Sequence, residues 1–123
     1  MLSFLSDNFA VWQDSFYPYL YGGSKARKLR YILEDAKTNN ANAIVSAGSA
    51  SSNHARDCAL ASAQLGWGCT LVIHDKEDYQ QSNLFLMKLS GAELIFCGLP
   101  DVGKVMDQAM EDYKRAGKSP YYI

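Results

Sequence analysis

Two hydrophobic periods alternate along most of this chain, with glycines between them. In residues 25–37, KARKLRYILEDAK, the apolar positions Leu29, Ile32, Leu33 and Ala36 recur at the spacing of one helix face. Ser24 stands just before that run and is the expected N-cap. AIVSAG, 43–48, is a short, mostly apolar run of strand length and β-branched content, which predicts a strand. HARDCALASAQLG, 54–66, predicts a closely packed helix closed by Gly66. The alternation continues with a strand at 69–74 (CTLVIH), a helix at 81–91 ending on Gly91, and a strand at 92–97 (AELIFC). A helix at 101–117 ending on Gly117 and the start of another strand at 120–123 (PYYI) complete it.

The predicted order is α-β-α-β-α-β-α-β. Strands separated by single helices need crossovers, and crossovers build a parallel sheet with helices on its faces. The expected fold class is therefore α/β, an open Rossmann-like parallel sheet of about four strands covered by helices on both faces.

Residues 1–21 carry neither period. They are expected to form an aromatic-rich arm beside a single α/β domain spanning 22–123, with Tyr17, Tyr19 and Tyr21 alternating through Pro18 as an extended edge would. The opening MLSFLSDNFAVWQDSF lacks a basic stretch and meets Asp7 and Asp14 early, so it reads as neither signal peptide nor membrane span.

Twelve Lys and Arg stand against thirteen Asp and Glu, a net charge of −1, which offers no field for nucleic acid. Cys58, Cys69 and Cys97 are odd in number and far apart, with only His54 and His74 as companions. That pattern indicates neither a disulfide framework nor a metal site, and reduced thiols in a cytoplasmic protein are expected.

Two stretches carry candidate chemistry. Ser49, Ser51, Ser52 and Asn53 follow a predicted strand and lead into a helix, where an open parallel sheet binds ligands. Hydroxyls and free helix N–H groups there suit a carboxylate or phosphate, although Ser51 or Ser52 acting only as a cap accounts for the same spacing. Neither GxGxxG nor GxxxxGK[ST] is present. The other stretch is GGSKARKLR, 22–30, where Lys25 and Lys28 share one helix face. A lysine at a helix start opposes the macrodipole; it is either simply solvated or a nucleophile able to condense with an aldehyde.

Together, GGSKARKLRYILEDA (22–36) and GSASSNHARDCALASAQLGWGC (48–69) resemble the 1-aminocyclopropane-1-carboxylate deaminase and D-cysteine desulfhydrase family of pyridoxal-phosphate enzymes, which have fold type II, similar to the tryptophan synthase beta chain. That family carries its cofactor lysine in a GGNK-x-RKLE-type helix start and places Q-S-N-[HQ]-x-R after the next strand. AGKSPYYI, 116–123, resembles its G-x-x-PY-x-I segment, so the resemblance covers 22–123.

The resemblance implies pyridoxal 5'-phosphate as cofactor, a small amino acid as substrate, and a lyase or deaminase reaction. It implies that Lys25 bonds the cofactor and moves substrate protons, with Lys28 towards the cofactor phosphate and Ser24 close by. Ser52 would bind the substrate carboxylate and take part in catalysis, Ser51 and His54 would line the substrate, and Asn53 would hydrogen-bond the cofactor's phenolic oxygen. His54 stands where desulfhydrase-like members have His and typical deaminases have Gln, which favours the former. D-cysteine would then yield hydrosulfide, pyruvate and ammonia, whereas a deaminase would open a cyclopropane ring.

Ser24 replaces the family's usual Asn and Ser51 its usual Gln. The family continues beyond the position of Ile123 into a larger domain with a glycine-rich phosphate cradle and a partner for the pyridine nitrogen. The chain is thus expected to be the smaller, lysine-bearing domain, inactive alone and completed by a larger domain or by self-association. The alternative is a non-catalytic α/β binding or self-association module on the same scaffold.

Overall fold

A computed structural model describes residues 2–20 and 22–123, with residues 2–5 and 16 given by their backbone alone. The chain opens with an antiparallel hairpin, β1 (Leu2–Ser6) and β2 (Phe9–Trp12), followed by a 3-10 turn at Asp14–Phe16. Then come α1 (Gly23–Thr38), β3 (Ala43–Gly48), α2 (Asn53–Leu65), β4 (Gly68–Ile73) and α3 (Ser82–Leu89). β5 (Glu93–Phe96), α4 (Val102–Arg115) and β6 (Pro120–Tyr122) complete the chain. Each predicted helix and strand is present.

Apart from the hairpin, the four strands β3 to β6 form one parallel sheet in the order β5-β4-β3-β6. Ala43 pairs with Gly68 on one side and with Pro120 on the other. This order follows from handedness. Right-handed crossovers through α2 and α3 step outward from β3 to β4 to β5 with both helices on one face. Returning from β5 to the far side of β3 reverses the direction of travel, so α4 must cross on the opposite face.

The packing agrees. Ile44, Leu71 and Ile73 meet Leu29 and Leu33 of α1, Cys58 of α2 and Leu84 of α3, whereas Val45 and Val72 meet Met106 and Ala109 of α4. Central strands β3 and β4 are covered from both sides, which is why they read as mostly apolar runs with no alternation.

Two local expectations are corrected. Ser24 is not the N-cap of α1: the cap is Gly22, and Ser24 lies exposed inside the first turn. Tyr17 and Tyr19 form no extended edge, because Tyr17 N–H bonds Asp14 O, Tyr19 N–H bonds Tyr17 O and Gly22 N–H bonds Tyr19 O, a succession of tight turns; Tyr21 lies outside the described residues.

These turns fold the arm back onto α1. Arg27 grips Asp14 through Nε (2.9 Å) and Nη2 (3.4 Å), Trp12 Nε1–H reaches the same carboxylate at 2.8 Å, and Arg30 donates to the Tyr17 hydroxyl. The Arg27 hydrogen bond holds the Asp14 carboxyl below its usual pKa. Tyr19 and Leu20 pack on the core beside α1 and α2. Among the described residues no helix is long and apolar enough to cross a membrane.

Candidate active site

In a sheet of order β5-β4-β3-β6 the direction of winding reverses at β3 and β6, and the crevice of such a sheet opens beyond the carboxyl ends of the strands at that reversal. The loop 49–52 leaves β3 there and enters α2. Ser52 caps the helix, its Oγ accepting from Ala55 N–H at 3.0 Å. That leaves the N–H groups of Asn53 and His54, in the first turn, without an intrahelical acceptor. As an acceptor in the cap, the Ser52 hydroxyl keeps its hydrogen to donate.

Gly48 makes this tight entry possible. A Cβ there would stand 2.7 Å from both Cβ and Oγ of Ser52 and 3.2 Å from Ala55 Cβ. Ser52 Cβ moves only with its backbone, so Gly48→Ala must push the first turn of α2 outward. The expected loss is about 1–2 kcal/mol, the cost of a disrupted cap plus modest overpacking, read from the urea midpoint. Ser52→Gly in the same chain should recover part of it. A substitution without effect on the midpoint would contradict this packing.

Asn53, at the start of α2, is held by partners that the sequence reading leaves unassigned. Its Oδ1 accepts from Arg56 Nη1 (3.2 Å) and from Asn83 Nδ2 (2.9 Å), the latter in the first turn of α3. Asn83 also donates to Ser51 O (2.8 Å), and its own Oδ1 accepts from Arg56 Nη1 at 3.2 Å. Arg56 in turn grips the buried Asp57 through Nε (3.0 Å) and Nη2 (2.8 Å). Burial pushes the Asp57 carboxyl above its usual pKa and the Arg56 guanidinium opposes it. Arg56 lies within the recognised S-N-H-x-R pattern, whereas Asn83 is thirty residues from Asn53 and no spacing signals it.

His54 is half-buried and turned towards the sheet. The Ser46 hydroxyl donates to Ile123 O (3.0 Å), so its oxygen accepts from His54 Nε2–H (3.2 Å), which fixes the tautomer and leaves Nδ1 as an acceptor. Cys58 Sγ lies 3.7 Å from the same Nε2. Burial draws the His54 pKa down, and the charge of Lys25 draws it further, against the pull of Asp57. The Cys58 thiol is pushed up to about 12 by burial, so it stays protonated.

α1 packs beside α2, the two helices that begin at the stretches singled out by sequence, and the charge of Lys25 reaches His54. Lys25 and Lys28 are both exposed and form no ion pair among the described residues. Ser51 is exposed, its Oγ 3.3 Å from that of Ser49. Among the described residues no cluster of His, Cys, Asp and Glu is arranged to hold a metal ion.

Two cavities bear on the site. One of about 300 Å³ opens beside Ser51 and is lined also by Ala50, Asp75, Lys76, Asp78 and Gln81. A larger one of about 620 Å³ runs between the arm, α2 and α3, but it is lined by groups such as Tyr17, Leu20, Leu60 and Leu86 and holds no lysine, histidine or carboxylate. Of the two, only the smaller touches a candidate site residue, Ser51.

The family model described as pyridoxal-phosphate dependent enzyme matches residues 5–123. A 1-aminocyclopropane-1-carboxylate deaminase of Bradyrhizobium diazoefficiens is 41% identical over 113 residues, 84% of this chain and 33% of the relative. One from Burkholderia cenocepacia is 34% identical over 127 residues, 95% of this chain and 37% of the relative. The chain thus spans about a third of the length of the curated relatives it matches. Among solved structures, an ACC deaminase homologue superimposes with a TM-score of 0.83 at 33% identity, covering 93% of this chain and 36% of its own. A hydrogen sulfide-producing enzyme from Fusobacterium nucleatum, at 22% identity, TM-score 0.62 and 84% of this chain against 31% of its own, shares the fold.

Proposed function

The chain belongs to the pyridoxal-phosphate-dependent enzyme family, and on that premise we propose that it forms the lysine-bearing wall of a site where a small amino acid is deaminated or cleaved. The observation that carries this reading is that α1, with Lys25 in its first turn, packs beside α2, which begins with the Ser52-Asn53-His54 turn.

The residues present fit the cofactor. α1 carries an exposed amine in its first turn, and the neighbouring α2 begins with two free N–H groups, a hydroxyl hydrogen and the Nδ2 group of Asn53 in a tight turn that Gly48 permits. When bound, pyridoxal phosphate supplies an electron sink for the bonds at the substrate's α-carbon. Lys25 Nζ is assigned to hold the cofactor covalently and to carry substrate protons. Lys28, three residues along the same helix, is assigned to the phosphate, and Ser24 to the polar surroundings of the cofactor. Asn53 Nδ2 donates to the phenolic oxygen.

The Ser52 hydroxyl and the N–H groups of Asn53 and His54 receive the substrate carboxylate without bringing a second titrating group to it. Ser51 borders that position. With its pKa drawn down, His54 is neutral at neutral pH and adds no competing positive charge. The remaining wall is assigned to a further domain or a second copy of the chain.

Ring opening of 1-aminocyclopropane-1-carboxylate and elimination of hydrosulfide from D-cysteine need the same parts, and the identities of 34–41% to deaminases favour the first. His54 in its motif position favours the second. Chain loaded with pyridoxal phosphate is to be given each compound, with ammonia, 2-oxobutanoate, pyruvate and sulfide measured. With the remaining wall assigned elsewhere, binding is the readout expected of the chain alone: the carboxylate of the accepted substrate should shift the backbone amide signals of Asn53 and His54, and Ser52→Ala should weaken that binding by about tenfold. No product and no shift with either compound would contradict the assignment and favour a binding module.

A further inference from the structure

The hydrogen bonds around Asn53 settle which way its amide faces. Arg56 can only donate, so the atoms that it meets on Asn53 (3.2 Å) and on Asn83 (3.2 Å) are both oxygens. The carbonyl of Ser51 can only accept, so the atom of Asn83 that meets it at 2.8 Å is nitrogen. The same Nδ2 then donates to Asn53 Oδ1 at 2.9 Å. One pure donor and one pure acceptor fix both amides, and a flip of either side chain breaks at least two bonds. Asn53 is left with both hydrogens of its exposed Nδ2 for a ligand, since its oxygen is filled twice from within the protein.

We propose that Asn83, with Arg56, is a positioning residue that locks the Asn53 amide with its donor group outward, so that the site accepts an electron-rich oxygen there and rejects a donor. The inference rests on the cofactor reading for the identity of that oxygen, but the orientation of Asn53 belongs to the chain alone. Asn83 reaches no ligand itself; it ties the start of α3 to the start of α2 and acts through Asn53.

Asn83→Asp tests this with almost no change of shape. The variant's carboxylate replaces a donor by an acceptor opposite Asn53 Oδ1 and, being charged, draws to itself the Arg56 Nη1 that both side chains share, so Asn53 loses both inward donors and is expected to turn, donating inward and presenting its oxygen to the site. Its side-chain NH₂ resonances should move and exchange more slowly with water, and pyridoxal phosphate should bind about tenfold more weakly. In an Asn53→Ala background the same substitution should leave pyridoxal phosphate affinity unchanged, which a merely structural role for Asn83 would not produce.

Unmoved Asn53 resonances, or an affinity loss of equal size in the Asn53→Ala background, would overturn the proposal. Should Asn83→Asp fail to fold, Asn83→Ala removes both donated bonds without adding charge and is read by the same cycle. If the unsubstituted chain takes up no pyridoxal phosphate, the cofactor reading fails, while the Asn53 resonances still decide the positioning role: movement supports it and constancy refutes it.

Discussion

Gly22→Ala is expected to destabilise the protein by about 3 kcal/mol, combining a backbone conformation that side chains rarely adopt with a close steric conflict. Gly22 has φ 74° and ψ −169°, and a Cβ placed on it would stand 2.6 Å from the carbonyl oxygen of Ser15. Backbone lies on both sides of that conflict, so no rotamer change relieves it. The arm must lift from α1 or the first turn of α1 must move, and either weakens the Asp14–Arg27 contact.

The neighbouring glycine provides the control. Gly23 also has a positive φ, 87°, but nothing lies within 4 Å of the position of its Cβ. Gly23→Ala should therefore cost only the left-handed backbone penalty, about 1–2 kcal/mol. Urea midpoints in which Gly22→Ala is no more harmful than Gly23→Ala would contradict the packing of the arm. The pair gives a physical reason for two glycines before Lys25: the first admits the backbone of Ser15, and both set the entry into the helix that carries the lysine.

The second large effect is chemical. Lys25→Ala should abolish saturable pyridoxal phosphate binding while leaving the far-ultraviolet circular dichroism unchanged, because the side chain is exposed and holds nothing else in place. Lys28→Ala should instead weaken binding by about tenfold, the loss of one charged contact to a phosphate. The contrast excludes a general effect of positive charge at the start of α1, since both substitutions remove one unit. Equal losses for the two variants would mean that the helix start attracts the phosphate electrostatically and that Lys25 has no special role.

The elements whose side chains face a core were legible in the sequence. β3 and β4 are buried on both faces and show apolar runs broken only by Ser46 and Thr70; α1 shows its stripe of Ala26, Leu29, Leu33 and Ala36. The hairpin was not legible, because all four residues of β2 are exposed and no buried face imposes a period of two. The cap of α1 was misplaced for a related reason: Gly22 is selected by the proximity of Ser15, a contact between segments that no local pattern contains.

At the site, Lys25 and the Ser51-Ser52-Asn53-His54 stretch stood out because each occupies a helix start behind small residues. Asn83 did not, since its importance comes from the side-by-side packing of α2 and α3, and in the sequence it is one of two polar residues in the first turn of a mostly apolar helix. The inward turn of His54 was equally hidden. It depends on Ser46 in β3 and on the carbonyl of Ile123, which follows β6 at the far end of the chain.

The most direct test of the central claim is to treat the chain with pyridoxal phosphate, reduce with borohydride and map the modified peptides by mass, beside Lys25→Ala. Stoichiometric label on the peptide carrying Lys25, lost in the variant, is the result that the site geometry predicts. Label spread evenly over the lysines, and unchanged by Lys25→Ala, would show that the helix start carries the motif without the chemistry.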